Sequence, residues 1–241
     1  MAWFKDWFNT PYYHILYGHH NDEEAKLFIR NLADLLHFKN GQTALDLACG
    51  KGRHSKTLNA IGLNVTGVDL STESISYAKG FENNTLHFEV HDMRKVYKES
   101  SFDFVFNLFT SFGYFANLED NVSTLKGVCA DLKDGGLFVQ DYFNAELVHS
   151  AIIPEQTISA CDISFTIKKT IKNNQIIKSI HFEDNGNDYD YKEEVTLFKL
   201  ADFETMYEKA GLSILHIFGD YTLQPFNQAQ SKRLILISRK I

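Results

Sequence analysis

Leu45-Asp46-Leu47-Ala48-Cys49-Gly50-Lys51-Gly52-Arg53-His54 is the stretch that decides the fold. Residues 43 to 48 read as a short buried strand, and Gly50-Lys51-Gly52 turns the chain into a helix whose inner face carries Leu58 and Ile61 and which stops at Gly62. Glycines at such a turn let a ligand approach the backbone, and the free amides of the helix start favour negative groups. Working downstream, residues 63 to 69 form a second strand, and Ser71 and Thr72 offer capping hydroxyls, with Glu73 in the first turn of a helix over 72 to 81. Strands follow at 85 to 90 and 102 to 108. A helix then runs through Leu118, Val122, Leu125, Val128 and Leu132, Gly135-Gly136 is expected to close it, and Leu137 to Tyr142 returns to strand. Upstream, Leu27, Ile29, Leu32, Leu35 and Leu36 predict a helix over 23 to 38.

Such alternation implies parallel strands joined by helical crossovers, with helices on both faces of the sheet. After residue 150 the rhythm changes to a period of two: Ile163, Phe165, Ile167, then Ile176, Lys178, Ile180, Phe182, then 191 to 198, with turns at Asn173-Asn174 and Asn185-Gly186. A helix over 201 to 210 and strands at 212 to 218 and 232 to 240 complete the chain, the last one antiparallel. The expected fold is α/β: a Rossmann-like, doubly wound, mostly parallel seven-stranded sheet with an antiparallel last strand, plus a small three-stranded antiparallel insertion. The chain reads as one domain, 1–241, with an N-terminal helical cap at 1–40 and the β insertion at 151–198.

The 241 residues are 44% hydrophobic and 23% charged, ordinary for a globular chain with one sizeable core. With 24 Lys and Arg against 31 Asp and Glu, the net charge of −7 provides no field for a phosphate backbone, so a nucleic-acid partner is disfavoured. Three cysteines without CxxC spacing fit reduced thiols. No segment reaches the roughly 18 apolar residues of a membrane span and no signal-peptide pattern stands out, so a cytoplasmic protein is expected. His19-His20 has no second pair at metal-ligand spacing, and the glycine of 183–190 stands too early for a calcium loop, so no metal is expected.

Asp69 ends the second strand, where an acid can accept hydrogen bonds from both hydroxyls of an adenosine ribose. A dinucleotide fold of the NAD type wants a third glycine where Ser55 stands, and Asp46 would repel a pyrophosphate. A cofactor carrying a sulfonium and an ammonium would welcome that charge.

At these residues the sequence resembles the class I S-adenosylmethionine-dependent methyltransferases, and specifically the bacterial small-molecule branch with a DLACGxGRHS-type first motif. The resemblance implies methyl transfer from S-adenosylmethionine to an oxygen, nitrogen or sulfur of a small molecule. By position, it implies that Asp46, Ala48, Gly50 and Gly52 line the methionine part of the cofactor, Asp69 holds the ribose diol, and Leu70 packs on the adenine. Asp92 and Met93 would meet the adenine edge and face, with Asn107 and Phe109 beside the transferable methyl. The leader Pro11-Tyr12-Tyr13-His14-Ile15-Leu16-Tyr17 would fold over the cofactor and bring Tyr17 to it, with His20 standing where relatives often carry Arg. A hydroxyl acceptor would need a base, for which His14, His149 and His181 are the tunable candidates, none singled out by spacing. The insertion leaves from the strand end where ligands bind, which predicts a share in the acceptor pocket or a homodimer contact. The alternatives are a non-catalytic binding protein with the same cofactor and an NAD-dependent oxidoreductase.

Overall fold

The computed structural model describes residues 3–18 and 22–241, apart from the side chains of Lys5, Asp22, His149 and Ala151. Three helices open the chain: α1 (Trp3–Trp7), α2 (Pro11–Tyr17) and α3 (Asp22–Leu36). The alternating unit follows as β1 (Thr43–Leu47), α4 (Arg53–Ala60), β2 (Asn64–Asp69), α5 (Thr72–Ala78), β3 (Leu86–Val90), β4 (Phe102–Asn107), α6 (Leu118–Asp131) and β5 (Leu132–Phe143). Then come α7 (Ala145–Ala151), the strands β6 (Glu155–Ala160), β7 (Ile163–Lys172), β8 (Gln175–Asp184) and β9 (Asn187–Thr196), helix α8 (Leu200–Ala210), β10 (Leu212–Phe218) and β11 (Arg233–Lys240).

The main sheet has seven strands in the order β10-β11-β5-β4-β1-β2-β3. β1 pairs in parallel with both β2 and β4, whereas β11 is antiparallel to β5 and to β10. Strands covered on both faces must be apolar on both, and these are. Leu45, Leu47, Val68, Val105 and Phe138 face α6 and α8, while Ala44, Val65, Phe88, Phe104 and Phe106 face α3, α4 and α5. The order in which strands are added reverses between β1 and β4, with β2 and β3 on one side and β4 and β5 on the other, and the crevice outside the strands' carboxyl ends at that point is where such sheets bind ligands.

The insertion differs from the sequence expectation. It is a four-stranded meander, β6-β7-β8-β9, because β6 precedes the three strands the alternation marks. Its sequence, Glu-Gln-Thr-Ile-Ser-Ala, alternates exposed and half-buried positions, so an edge strand with so little apolar content leaves a weak period-two signal. A second difference lies at Gly135-Gly136. Helix α6 already ends at Asp131, and the glycines sit within β5, where the register against β4 shifts between Phe102 and Phe104. A bulge absorbs the extra residues there, a common use of glycine in a strand.

Between the insertion and the leader helices lies a third apolar cluster, built from Trp7, Leu16, Ile163, Phe165, Ile167, Ile180 and Phe182. α1 packs on β9 and α2 on β6, so the leader lies between the small sheet and the mouth of the main one.

Candidate active site

Loops from four consecutive parallel strands converge on one cavity of about 270 Å³. β1 contributes Leu47, Ala48 and Gly50, β2 contributes Asp69, Leu70 and Ser71, β3 contributes His91, Asp92 and Met93, and the turn after β4 contributes Ser111 and Tyr114. Phe4, Phe8, Asn9 and Tyr13 of the leader close the other side. Asn9 fixes that closure: its side-chain oxygen accepts from the Ser71 hydroxyl at 3.0 Å and from the Glu73 amide at 3.1 Å, at the start of α5.

The first turn is shaped for a close ligand. Ala48 and Gly50 both hold positive φ, and no atom lies within 4 Å of where a Cβ on Gly50 would stand. Asp69 spans the turn, accepting from the Gly50 amide at 2.8 Å through one oxygen and from the Ser71 amide at 2.8 Å through the other. Burial pushes its pKa up, and those amides oppose the shift. Asp46 lies beneath the turn, 2% exposed, and its carboxylate accepts from the Ser55 hydroxyl at 2.5 Å. Burial raises its pKa to about 6, and no cation forms an ion pair with it among the described residues. Asp92, at the far end, is held by Arg94, whose guanidinium donates at 2.5 Å and 3.0 Å and keeps the carboxyl below its usual range.

Six of the residues expected at the cofactor therefore share this cavity wall: Ala48, Gly50, Asp69, Leu70, Asp92 and Met93. Five stand elsewhere. Gly52 is needed for packing, since a Cβ there would lie 2.6 Å from the Phe88 ring. Asp46 is behind the wall. Asn107 is buried, its amide donating to the carbonyls of Leu47 at 3.1 Å and Ser111 at 3.0 Å, so it braces the wall from behind. Phe109 lies in the turn after β4, under the Arg53 guanidinium at 5.1 Å. Tyr17 points to the insertion, where its hydroxyl donates to Glu193 at 2.8 Å.

Two of the three candidate bases, His14 and His181, are not among the residues that line the cavity. His181 sits on the exposed side of the small sheet beside Asp190, at 3.1 Å. His14 is not a wall residue but reaches Ser74, which is, at 3.3 Å, and burial together with Lys51 lowers its pKa to about 4, so it stays neutral at physiological pH. The side chain of His149, and both His19 and His20, lie outside the described residues. Among the described residues no group of three or more His, Cys, Asp or Glu could hold a metal ion, and no helix is long and apolar enough to cross a membrane.

Sequence reasoning missed Glu193. It is 6% exposed, accepts from the Trp7 indole at 2.7 Å and the Tyr17 hydroxyl, and pairs with Lys178 at 2.9 Å. It joins leader to insertion across 186 residues, a distance no local pattern spans. Tyr13 belongs to the leader expected to fold over the cofactor, whereas Tyr114, also in the wall, carried no expectation of its own.

A glycine turn, an acid at the end of the second strand and a buried carboxylate beneath the turn stand together at the switch point of a doubly wound sheet, where such sheets bind ligands. The chain belongs to the methyltransferase domain family, whose model matches residues 38–210. It is 31% identical over 209 residues to YqeM of Bacillus subtilis (strain 168), a candidate methyltransferase by its name, covering 81% of this chain and 83% of that one. It is 25% identical over 212 residues to the dTDP-3-amino-3,4,6-trideoxy-alpha-D-glucopyranose N,N-dimethyltransferase of Streptomyces venezuelae, covering 78% and 84%. The fold matches that of an S-adenosylmethionine-dependent methyltransferase from Clostridium acetobutylicum ATCC 824, with TM-score 0.79, 20% identity and 95% of each chain covered. Its cofactor is S-adenosylmethionine, and the NAD-linked alternative falls away with the family.

Proposed function

We propose that this methyltransferase methylates an amine nitrogen of a small molecule, with the cofactor lying along the wall from Asp92 to Ser111. The observation that carries the placement is the shared cavity wall of Ala48, Gly50, Asp69, Leu70, Asp92 and Met93. When bound, S-adenosylmethionine supplies an electrophilic methyl on a sulfonium, which an acceptor lone pair takes in line as the carbon–sulfur bond breaks. Asp69 would accept from the ribose hydroxyls, Met93 and Leu70 would enclose the adenine, and the buried charge of Asp46 would favour the cationic end. Phe4, Phe8 and Tyr13 exclude water from above, and the remaining contribution of the protein is alignment.

Among the described residues no histidine lines the cavity beyond His91, which stands beside Asp92 at the adenosine end, and this favours nitrogen. His14 reaches the cavity wall only through Ser74, His181 stands away from the cavity, Asp92 is paired with Arg94, and His91 donates its Nε2 proton to the Lys95 carbonyl at 2.9 Å. The deprotonated fraction that an amine keeps in water can react without a base at the site, whereas an alcohol needs one. The Streptomyces venezuelae relative is itself named for a sugar amine. A small acceptor rather than a nucleic acid also suits a net charge of −7.

Calorimetric titration with S-adenosylmethionine and S-adenosylhomocysteine, with NAD as control, tests the placement. Micromolar binding of the first two, weakened at least about tenfold in Asp69→Ala, is the expected result, the loss being that of one or two charge-assisted hydrogen bonds. Unchanged affinity in that variant would remove Asp69 from the site. A mass-spectrometric screen of amines against alcohols of matched size then tests the acceptor class, and turnover confined to alcohols would refute the amine.

A further inference from the structure

The turn after β4 is strained and held from a distance. Phe109 and Thr110 take φ of 59° and 61° in succession, a conformation that non-glycine residues keep only when the surroundings impose it. What imposes it is Asp141 on β5, 1% exposed. Its carboxylate accepts from the Phe109 amide at 2.9 Å, and its carbonyl accepts from the Thr110 amide at 2.9 Å. Arg233, at the start of β11, locks that carboxylate with Nε at 2.7 Å and reaches the Thr110 hydroxyl with Nη2 at 3.0 Å. Tyr221, from the loop between β10 and β11, donates its hydroxyl to Asp141 at 3.0 Å.

The neighbouring β5 residue, Gln140, works on the other side. It donates to the Asn107 side chain at 3.4 Å, and Asn107 in turn holds the Ser111 carbonyl. Tyr114 is tied to the same turn by its hydroxyl, which donates to the Thr110 carbonyl at 2.6 Å. Of this assembly, Ser111 and Tyr114 line the cavity, and they follow β4, on the opposite side of β1 from β2 and β3, whose ends carry Asp69 and Asp92.

We propose that Asp141, Arg233 and Tyr221 are positioning residues for methyl transfer: they hold the Phe109–Thr110 turn so that Ser111 and Tyr114 form the wall facing the transferable methyl. They touch neither cofactor nor acceptor. The proposal rests on the cofactor placement given above, and its test separates the two.

The probes are S-adenosylhomocysteine, which lacks the methyl, and sinefungin, which carries a protonated amine in its place. Binding of each is measured by calorimetry to the wild-type protein and to Arg233→Lys and Tyr221→Phe, two variants that keep Asp141 and its bond to Phe109. Lysine cannot reproduce the two-pronged contact to Asp141 and Thr110. The expected result is a loss of about tenfold for sinefungin with Arg233→Lys, a smaller loss with Tyr221→Phe, and a change under about twofold for S-adenosylhomocysteine, the scale of one misaligned polar contact. Equal losses for both ligands, or none, in variants that melt cooperatively would leave these residues a structural role and overturn the proposal. Failure of the wild-type protein to bind either ligand would overturn the cofactor placement as well.

Discussion

Replacing Glu193 by glutamine should release the leader from the small sheet while leaving the main sheet folded. The carboxylate receives the Trp7 indole and the Tyr17 hydroxyl on one oxygen, and the Tyr17 hydroxyl and Lys178 ammonium around the other. A glutamine keeps one acceptor and turns the second position into a donor facing donors. Removing one member of a buried pair costs about 3 to 5 kcal/mol where the partner stays dry. Lys178 is 27% exposed and can recover water, which brings the estimate to about 2 kcal/mol, near the value of one hydrogen bond to a charged group. That is roughly a thirtyfold shift in the docking equilibrium of α1 and α2. Hydrogen exchange reads it directly, because local opening sets amide protection. Protection across 3–18 should fall by about thirtyfold, while amides of β1, β4 and β5 hold theirs. Since Phe4, Phe8, Asn9 and Tyr13 close the cavity, S-adenosylhomocysteine should bind more weakly in the same variant. Pairing the change with Lys178→Met should restore part of the protection, because it removes the orphaned charge. Unchanged leader protection in Glu193→Gln would refute the latch, and with it the reading of the leader as a lid held by the insertion.

Asp46 gives a pH test with opposite signs for stability and binding. Its pKa, raised to about 6 by burial, means the folded chain prefers the protonated form; the contribution favours folding below the unfolded pKa and is lost as pH rises through about 6. Asp46→Asn should therefore raise the melting temperature at pH 7.5 and not at pH 3.5, while S-adenosylmethionine binding, which draws on the carboxylate charge, weakens; a variant that binds normally would exclude that role. Gly52→Ala should lower stability by about 1 to 3 kcal/mol in chemical denaturation, because its methyl meets the Phe88 ring and its φ is +77°. Gly50→Ala meets no atom and should cost only about 1 kcal/mol, so a loss of cofactor affinity well beyond its loss of stability would mark Gly50 as a ligand-facing position, and normal affinity would not. Replacing 162–197 by a short turn removes Glu193 and most of the third apolar cluster, so the shortened chain should expose its leader to protease; a resistant leader would contradict the packing.

What the sequence determined by itself was whatever rests on neighbours along the chain. The period of the apolar residues, the caps at Ser71 and Gly211 and the glycines after β1 are read within a few residues of one another, and they suffice for the doubly wound sheet and the carboxyl-end loops. That Ala48, Gly50, Asp69, Leu70, Asp92 and Met93 gather at one edge of the sheet was legible for that reason, since each ends or follows a strand that the pattern locates. Strand β6 was not, because an edge strand needs little apolar surface, and neither was the bulge at Gly135, where glycines that end helices also kink strands. Only the tertiary structure decided which side chains share a cavity. Glu193 meets Trp7, and Asp141 meets Arg233 92 residues away, because burial leaves polar groups no water and makes each find a partner wherever folding has put one. The same requirement drew Tyr17 to Glu193 and left Asp46 as a buried charge beneath the glycine turn.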